Sequence, residues 1–591
     1  MIERVHNVVK QPISFLRNKL SDRQFFIFSS VLVGLSSGLA AVALKYVVHT
    51  LGTFVDFYSL TYEDFFLFAL FPMVGLILTV LLIRYFLKDN LKRGSAEIVY
   101  AITKKASVIP EREMYSHLIT SALTVGFGGS LGLESPMVST GAAIGSNYSK
   151  SYKLSYKERT ILLACGSAAG IAAAFNSPIA GVLFAIEVLL ADVSASAFIP
   201  LIISAASGAL LSHIILKEGV TISFSLQQPF NYNNVPYYIL LGMLAGLISL
   251  YYARAFTWMD RTMTLIKNQW ARVVTGGLLL FVLLFLFPPL FGEGYVTIKS
   301  LAGLDAQALT HSSVLNSFIK TESHLLIFLG LLMFLKTIAA AITLGSGGNG
   351  GSFAPSLFVG AYLGFIFARI INLSGIANIP ESNFTIVAMA GVLSGVFYAP
   401  LTAIFLIAEI TGGYELMIPL MIVSSLSAII VHFFEPLSME AKKLSAKLNL
   451  TVKNRDQFLL SKLDLSELIE TNFAVVHPEE TLRVLIKIIS ASNRNLFPVV
   501  DEKQNLTGIV HMDHIRSLIF EPENHEKITV KELMRPPAAI IERTENLHSV
   551  LQKFEETKQW NLPVTENGQY IGFLSKSSIL SRYRNELMES A

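Results

Sequence analysis

Residues 128–145 read GGSLGLESPMVSTGAAIG. The stretch sets one carboxylate, Glu134, among glycines and two residues before Pro136, in an otherwise apolar neighbourhood. A charge in such surroundings is costly. Glycine frees the backbone and proline favours the first turn of a helix, so the segment predicts a helix that starts at Pro136, its unpaired amides directed at whatever precedes it. Such helix ends attract anions.

The pattern occurs twice. Residues 347–364 read GGNGGSFAPSLFVGAYLG, and without a gap Gly128, Gly129, Gly132, Pro136, Gly141, Ala142 and Gly145 match Gly347, Gly348, Gly351, Pro355, Gly360, Ala361 and Gly364. A second pair follows: Phe175, Pro178 and Glu187 in AAAFNSPIAGVLFAIE align with Phe397, Pro400 and Glu409 in GVFYAPLTAIFLIAE. About the first 440 residues therefore read as a duplicated membrane unit, and paired hydrophobic segments broken by glycine and proline point to a substrate site near the bilayer midplane.

Composition agrees. Of 591 residues 52% are hydrophobic and only 15% charged, a membrane composition. Apolar runs at Phe25–Val48, Phe65–Ile83, Tyr237–Tyr251, Val273–Phe291, Leu325–Ala341 and Leu416–Phe433 reach or approach spanning length, whereas the chain after Glu435 is charged like a soluble protein. The net charge of +3, with no basic helix interleaved with aromatics, argues against nucleic acid as a partner. The single cysteine, Cys165, excludes an intrachain disulfide. Arg4, Lys10, Arg17, Lys19 and Arg23 precede the first apolar run, which is too long for a signal-peptide core, so the N-terminus is expected on the cytoplasmic side of the cell (inner) membrane.

The tail carries its own repeat. RNLFPVVDEKQNLTGIVHMDHIRSLI (494–519) and QWNLPVTENGQYIGFLSKSSILSRY (559–583) both read strand, turn, strand, helix, with Asn495 and Asn561, Pro498 and Pro563, and Gly508 and Gly572 in like places. This resembles a pair of CBS domains. The resemblance implies small α/β units docked side by side, with an adenine nucleotide in the cleft as the one cofactor to consider. Nucleotide-binding members commonly have Ser/Thr and then Asp three residues later; His511 and His514 stand there in the first copy and Ser575 and Ser578 in the second. A dimerising cytoplasmic support is the other reading.

GGSLGLESP, NSPIAGVLFAIE and GGSFAP, in this order before a CBS pair, resemble the chloride channel/transporter (CLC) family over about Phe25–Leu448. The resemblance implies an α-helical polytopic membrane protein of two inverted halves with broken helices, one pore per subunit, two subunits per homodimer, and no enzymatic activity or required cofactor. GLESP stands at the family's GREGP, so Glu134 falls on the gating glutamate; GSFAP stands at GIFAP. The anion-binding amides then fall on Leu133, Glu134 and Ser135 and on Gly351, Ser352, Phe353 and Ala354. Physics supports such a layout independently. Stripping an anion of water costs on the order of tens of kcal/mol by Born estimates. Amide dipoles at helix ends replace hydration without trapping the ion, because conduction needs easy exit as well as entry. An ionised Glu134 can take the anion's place, and a protonated one can swing away.

Three departures follow. Proton-coupled members carry a second glutamate after the NxPLAG…E motif, and Val188 stands there, so the internal proton position is lost and passive or weakly proton-coupled chloride conduction is the reading. Glu187 and Glu409 read as structural carboxylates. The family's GSGIPE aligns without gaps to KRGSAE, placing Arg93 at the anion-binding serine, although a shift of one or two residues offers Ser95 instead. The inner tyrosine is replaced in EPLSMEAKKL by Glu440. A pairing of Arg93 with Glu440 across the inner vestibule is the sharp expectation from this double change.

An antiporter exchanging chloride for protons by a non-standard internal route is the alternative. A CBS-linked divalent cation transporter is more distant, since it would want several acidic residues along the pore. No HExxH or Walker lysine supports an enzyme or a metal site. Chloride is the expected cargo, with other halides or nitrate open. The expected organisation is a cytoplasmic N-terminal helix over 1–24, a transport domain over 25–448 with halves at about 25–215 and 235–448, a linker over 449–462, and cytoplasmic CBS domains over 463–520 and 529–585 in a multi-pass protein of the lipid bilayer.

Overall fold

The computed structural model describes residues 19–61, 65–88, 91, 93–190, 195–217, 229–311, 313–448 and 465–582. The expected helix over 1–24 falls outside these residues up to 18, and the expected linker over 449–462 lies wholly outside them. The chain divides into two compact units, Met1–Lys447 and Leu448–Ala591.

Helices dominate the first unit because its residues are apolar in long unbroken runs, and in lipid a helix satisfies every backbone group internally. Its first half runs through α1 (Asp22–Thr61), α2 (Phe65–Tyr85), α3 (Ser95–Lys104), α4 (Glu113–Gly126), α5 (Glu134–Ser151), α6 (Tyr156–Phe175), α7 (Pro178–Phe184, extended by a π-helical turn over Ala185–Leu189) and α8 (Ala195–Leu216). The second half runs through α9 (Val235–Thr264), α10 (Gln269–Leu286), α11 (Tyr295–Ala302), α12 (Glu322–Gly345), α13 (Phe353–Ser374), α14 (Glu381–Phe397), α15 (Pro400–Ile410), α16 (Met417–Phe434) and α17 (Met439–Leu448). Among the described residues nine helices are long and apolar enough to cross a membrane.

The glycines shared by the repeats have a packing reason. A Cβ on Gly141 would stand 2.0 Å from the Gly166 carbonyl oxygen and one on Gly145 2.0 Å from that of Leu162, so α5 lies backbone to backbone on α6. Gly360 and Gly364 do the same for α13 on α14, where added Cβ atoms would meet Met389 Cα at 2.6 Å and the Phe384 carbonyl oxygen at 2.2 Å. Small residues at such seams are how membrane helices approach closely without a hydrophobic drive between them.

The halves are also tied together by exchanged hydrogen bonds. Gly132 N–H donates to Gly351 O (2.9 Å) and Gly351 N–H to Gly132 O (2.7 Å). Ser130 N–H donates to Thr343 Oγ1 (3.3 Å), and its repeat mate Asn349 N–H to Thr124 Oγ1 (3.0 Å). The two glycine-rich loops therefore meet head to head at the centre of the unit, which brings the starts of α5 and α13 together.

The second unit is α/β. Strands β1 (Leu496–Val500) and β2 (Leu506–His511) form an antiparallel pair. In the second sheet β3 (Ile541–Glu542) lies parallel to β4 (Asn561–Glu566), which pairs antiparallel with β5 (Gln569–Ser575). Each sheet has its own apolar core, around Phe497, Val499 and Val510 in one and around Phe554, Leu562 and Leu574 in the other.

Candidate functional site: the paired broken helices

Helix α5 begins at Glu134, not at Pro136 as its sequence suggests, and α13 likewise begins at Phe353 with Pro355 third. Proline is tolerated anywhere in the first turn, where its missing N–H has no intrahelical use, so it marks the turn rather than its first residue. Leu133 and Ser352 occupy the N-cap positions, and neither caps its helix with its own side chain. The first-turn amides of both helices thus have no intrahelical acceptor, and those of Glu134 and Ala354 lie near the Glu134 carboxylate.

Glu134 sits among them, 3% exposed. Its Oε1 accepts from the Tyr295 hydroxyl at 2.6 Å. Its Oε2 is buried and has no hydrogen-bond partner. That oxygen lies against the loop junction: a Cβ on Gly132 would stand 2.1 Å from it and 2.9 Å from Ala354 Cβ. The Leu133 amide is taken by a second carboxylate, Glu293 Oε1, at 3.2 Å.

Two cavities meet at Glu134. One, of about 230 Å³, is lined by Lys45, His49, Leu133, Phe175, Glu293 and Tyr295 among others. The other, of about 60 Å³, is lined by Arg93, Ser95, Ser352, Phe353, Glu440 and Lys443 among others, and takes in Ser135 and Gly351 as well. Phe353 also anchors an aromatic collar, with ring centroids 5.7 Å from Phe175, 6.3 Å from Phe184 and 5.0 Å from Phe397.

The other paired glutamates behave differently. Glu187 accepts from the amides of Leu401 (3.0 Å) and Thr402 (2.7 Å) and from the Thr402 hydroxyl (2.6 Å), at the start of α15. Glu409 accepts from the amides of Ile179 (3.1 Å) and Ala180 (2.9 Å), at the start of α7. Each half caps the other's broken helix, and both carboxylates are spent on structure. Val188 lies in the π-helical turn beside Glu187 and packs against the core.

Arg93 and Glu440 do not pair. Arg93 donates to the carbonyls of Leu344 (3.4 Å) and Gly347 (3.0 Å) at the C-terminal end of α12. The negative end of that helix dipole takes both terminal NH2 groups of the guanidinium, leaving only its Nε without a partner. Glu440 turns instead to the start of α3, accepting from Ala96 N–H at 3.2 Å and from the Ser95 hydroxyl at 3.4 Å. Ser95, not Arg93, is the residue whose hydroxyl stands at that helix start.

Comparison with known proteins decides the family. The sequence model described as voltage gated chloride channel matches residues 74–432, and that of the CBS domain matches 465–521 and 530–585. The chain belongs to the CLC family. It is 29% identical over 400 residues to a ClcB-like chloride channel protein of Ralstonia nicotianae, covering 66% of this chain and 86% of that one. It is 28% identical over 449 residues to the H(+)/Cl(-) exchange transporter ClcA of Vibrio cholerae, covering 72% and 90%. Among solved structures, a slow cyanobacterial Cl-/H+ antiporter superposes with a TM-score of 0.63 at 22% identity, covering 73% of this chain and 99% of that one, a likeness in fold. The protein is therefore a multi-pass CLC-family chloride transport protein with a C-terminal CBS pair, and not an enzyme.

Three residues of this CLC protein's site escape sequence reading. Glu293 comes from the turn before α11, Tyr295 is the first residue of α11, and Lys336 comes from the middle of α12, where it is fully buried. Lys336 Nζ donates to the carbonyls of Leu290 (3.1 Å) and Gly292 (2.8 Å) and so holds the turn that carries Glu293 and Tyr295. The one signal in the sequence was a lone lysine inside a 24-residue apolar helix, where a charge is retained only with partners.

In the CBS unit, the Ser575 hydroxyl donates to Glu470 Oε1 (2.9 Å) and accepts from Ser578 N–H (3.0 Å), while the Ser578 hydroxyl donates to Ser575 O (3.0 Å). Both serines serve the local fold. The His511 ring lies 5.2 Å from that of His514, tilted by 52°, and burial, then His514 and Arg535, hold its imidazole below the usual range.

Proposed function

We propose that Glu134 gates this protein's anion pathway by competing with chloride for the amides at the starts of α5 and α13, and that conduction is passive or weakly coupled to protons. The observation that carries the reading is the buried Glu134 carboxylate at the junction of two cavities, one oxygen making no hydrogen bond beside two helix starts that their own N-cap side chains leave uncapped. A group in that state has free capacity that a fully satisfied carboxylate lacks. The amides of Glu134, Ser135, Ser352, Phe353 and Ala354 are the assigned ligands; of the expected set, Leu133 N–H is taken by Glu293 and Gly351 N–H by Gly132 O. Val188 supplies no proton carrier next to Glu187, which supports weak coupling.

Exchange of chloride for protons is the second reading, favoured by the exchanger named among the relatives and by Glu293, a second carboxylate at the start of α5. Anion efflux from liposomes holding the native chain and Glu134→Gln, with internal pH recorded, separates the two. Chloride movement without proton movement supports the first reading; uphill proton movement lost in the variant supports the second; no anion flux in either overturns both. Preference for nitrate, fluoride or bromide is read from the same assay with the salt changed.

The same reading has the protein as a homodimer in the cell membrane with the N-terminus and the CBS pair on the cytoplasmic side, by the basic residues ahead of α1. For the CBS pair the supporting role fits better than nucleotide capture, because Ser575 and Ser578 have their hydroxyls committed within the fold.

A further inference from the structure

The cavity that reaches Glu134 from the Glu440 side already holds a carboxylate at its far wall. Helix α3, ten residues long, starts after Gly94, whose φ of 89° turns the chain sharply and bares the helix start; no side chain from its own end caps it. Into this start comes Glu440, from 344 positions later in the chain, with Oε2 3.2 Å from Ala96 N–H and 3.4 Å from the Ser95 hydroxyl. A Cβ on Gly94 would stand 2.9 Å from the same oxygen. An amide and a hydroxyl at a helix start are what a free anion would use. Their occupant here is an anion on a tether.

We propose that Glu440 is a second competing carboxylate, which holds the start of α3 against chloride and acts in series with Glu134. This deepens the transport reading and rests on it. A second observation ties the two groups to one path: Glu134, 3% exposed and with Oε2 unpartnered, lines the same cavity as Ser95 and Glu440. Glu440 is held from one side only. Its other oxygen lies 3.6 Å from Lys443 Nζ, one turn along its own helix, where both side chains keep partial contact with solvent at 20% and 38% exposed. A pair that open contributes little, about 0–1 kcal/mol. Asp260 lies within electrostatic reach of Glu440, Arg93, Lys443 and Arg272, so the mouth carries both signs of charge. Arg93 is engaged with the end of α12 and does not hold Glu440 in place. A carboxylate fixed by two modest hydrogen bonds and one open ion pair can be displaced by an arriving anion, which a fully buried cap cannot.

The test uses the full chain in liposomes, with chloride efflux followed at several internal chloride concentrations for the native protein, Glu440→Gln, Glu440→Gln with Ser95→Ala, and Glu134→Gln. Glutamine keeps the size and an acceptor oxygen but loses the charge, so a capping role alone would leave transport unmoved. The expected result is a half-saturating chloride concentration lowered by about threefold or more in Glu440→Gln, with the gain lost when Ser95→Ala is added. Should Glu440→Gln not purify as a folded protein, Glu440→Asp carries the test, because the shortened carboxylate is drawn back from Ala96 and should lower the same concentration. Native flux with an unchanged concentration dependence in the Glu440 variant overturns this proposal alone. Absence of chloride flux in the native chain and in Glu134→Gln overturns the transport reading and this proposal together.

Discussion

Glu187 and Glu134 lie in the same half of the membrane unit, at the end of one broken helix and the start of another, yet they are in opposite states. Glu187 has three donors and a repeat mate, Glu409, that returns the favour across the twofold. Glu134 has one side-chain donor, Tyr295, on one oxygen, while the other makes no full hydrogen bond and only lies near the amides of Glu134 and Ala354, and the matching position in the second half is Phe353. Duplication makes symmetric carboxylates good structural clasps, because each half supplies what the other lacks. The carboxylate that breaks the symmetry has no such job, and its unspent capacity is where a mobile anion can be contested.

Breaking the clasp should have the largest effect. Glu187→Ala leaves the amides of Leu401 and Thr402 and the Thr402 hydroxyl without their acceptor, and should cost about 2–4 kcal/mol, read as a fall in thermal unfolding temperature in detergent; Glu409→Ala, which frees the two amides of Ile179 and Ala180, should cost somewhat less. Glu134→Gln should do the reverse, raising chloride flux by about tenfold, equivalent to about 1.4 kcal/mol, while unfolding temperature stays near native. A large loss of stability in Glu134→Gln would place Glu134 with the clasps and undo the contrast.

Tyr295→Phe should be smaller. It deletes the one donor on Glu134 and so costs the carboxylate about 1 kcal/mol of anchoring, which should appear as chloride competing more effectively in the efflux assay, with stability little changed. The smallest expected effect lies in the other unit. ATP added at millimolar concentration should leave the unfolding temperature of the full chain unchanged to within about 1 °C, since a ligand binding well below that concentration would stabilise by mass action; a clear upward shift would reassign Ser575 and Ser578 from fold to ligand.

Much of this was legible beforehand. The glycines at 141 and 145 and their copies at 360 and 364 marked the duplication, while their reason, that only a missing side chain lets two backbones touch, came with the structure. The carboxylates at Glu134, Glu187 and Glu409 stood out for a related reason: an ionisable group in an apolar run is costly enough to need a cause. The start of α5 was misread by two residues because proline fits any position of the first turn. The pairing of Arg93 with Glu440 failed because two opposite charges on adjacent segments each found a nearer helix terminus, and no sequence pattern reports where a helix end points.

The sequence by itself determined the membrane class, the duplication, the CBS tail and the carboxylates worth asking about, since hydrophobic length, glycine spacing and lone charges are local properties of the chain. The tertiary structure alone decided which of those carboxylates are satisfied. Hydrogen-bond donors for Glu134, Glu187 and Glu440 come from 161, 215 and 344 positions away, and whether a buried charge is spent or free depends on groups that only folding brings within about 3 Å.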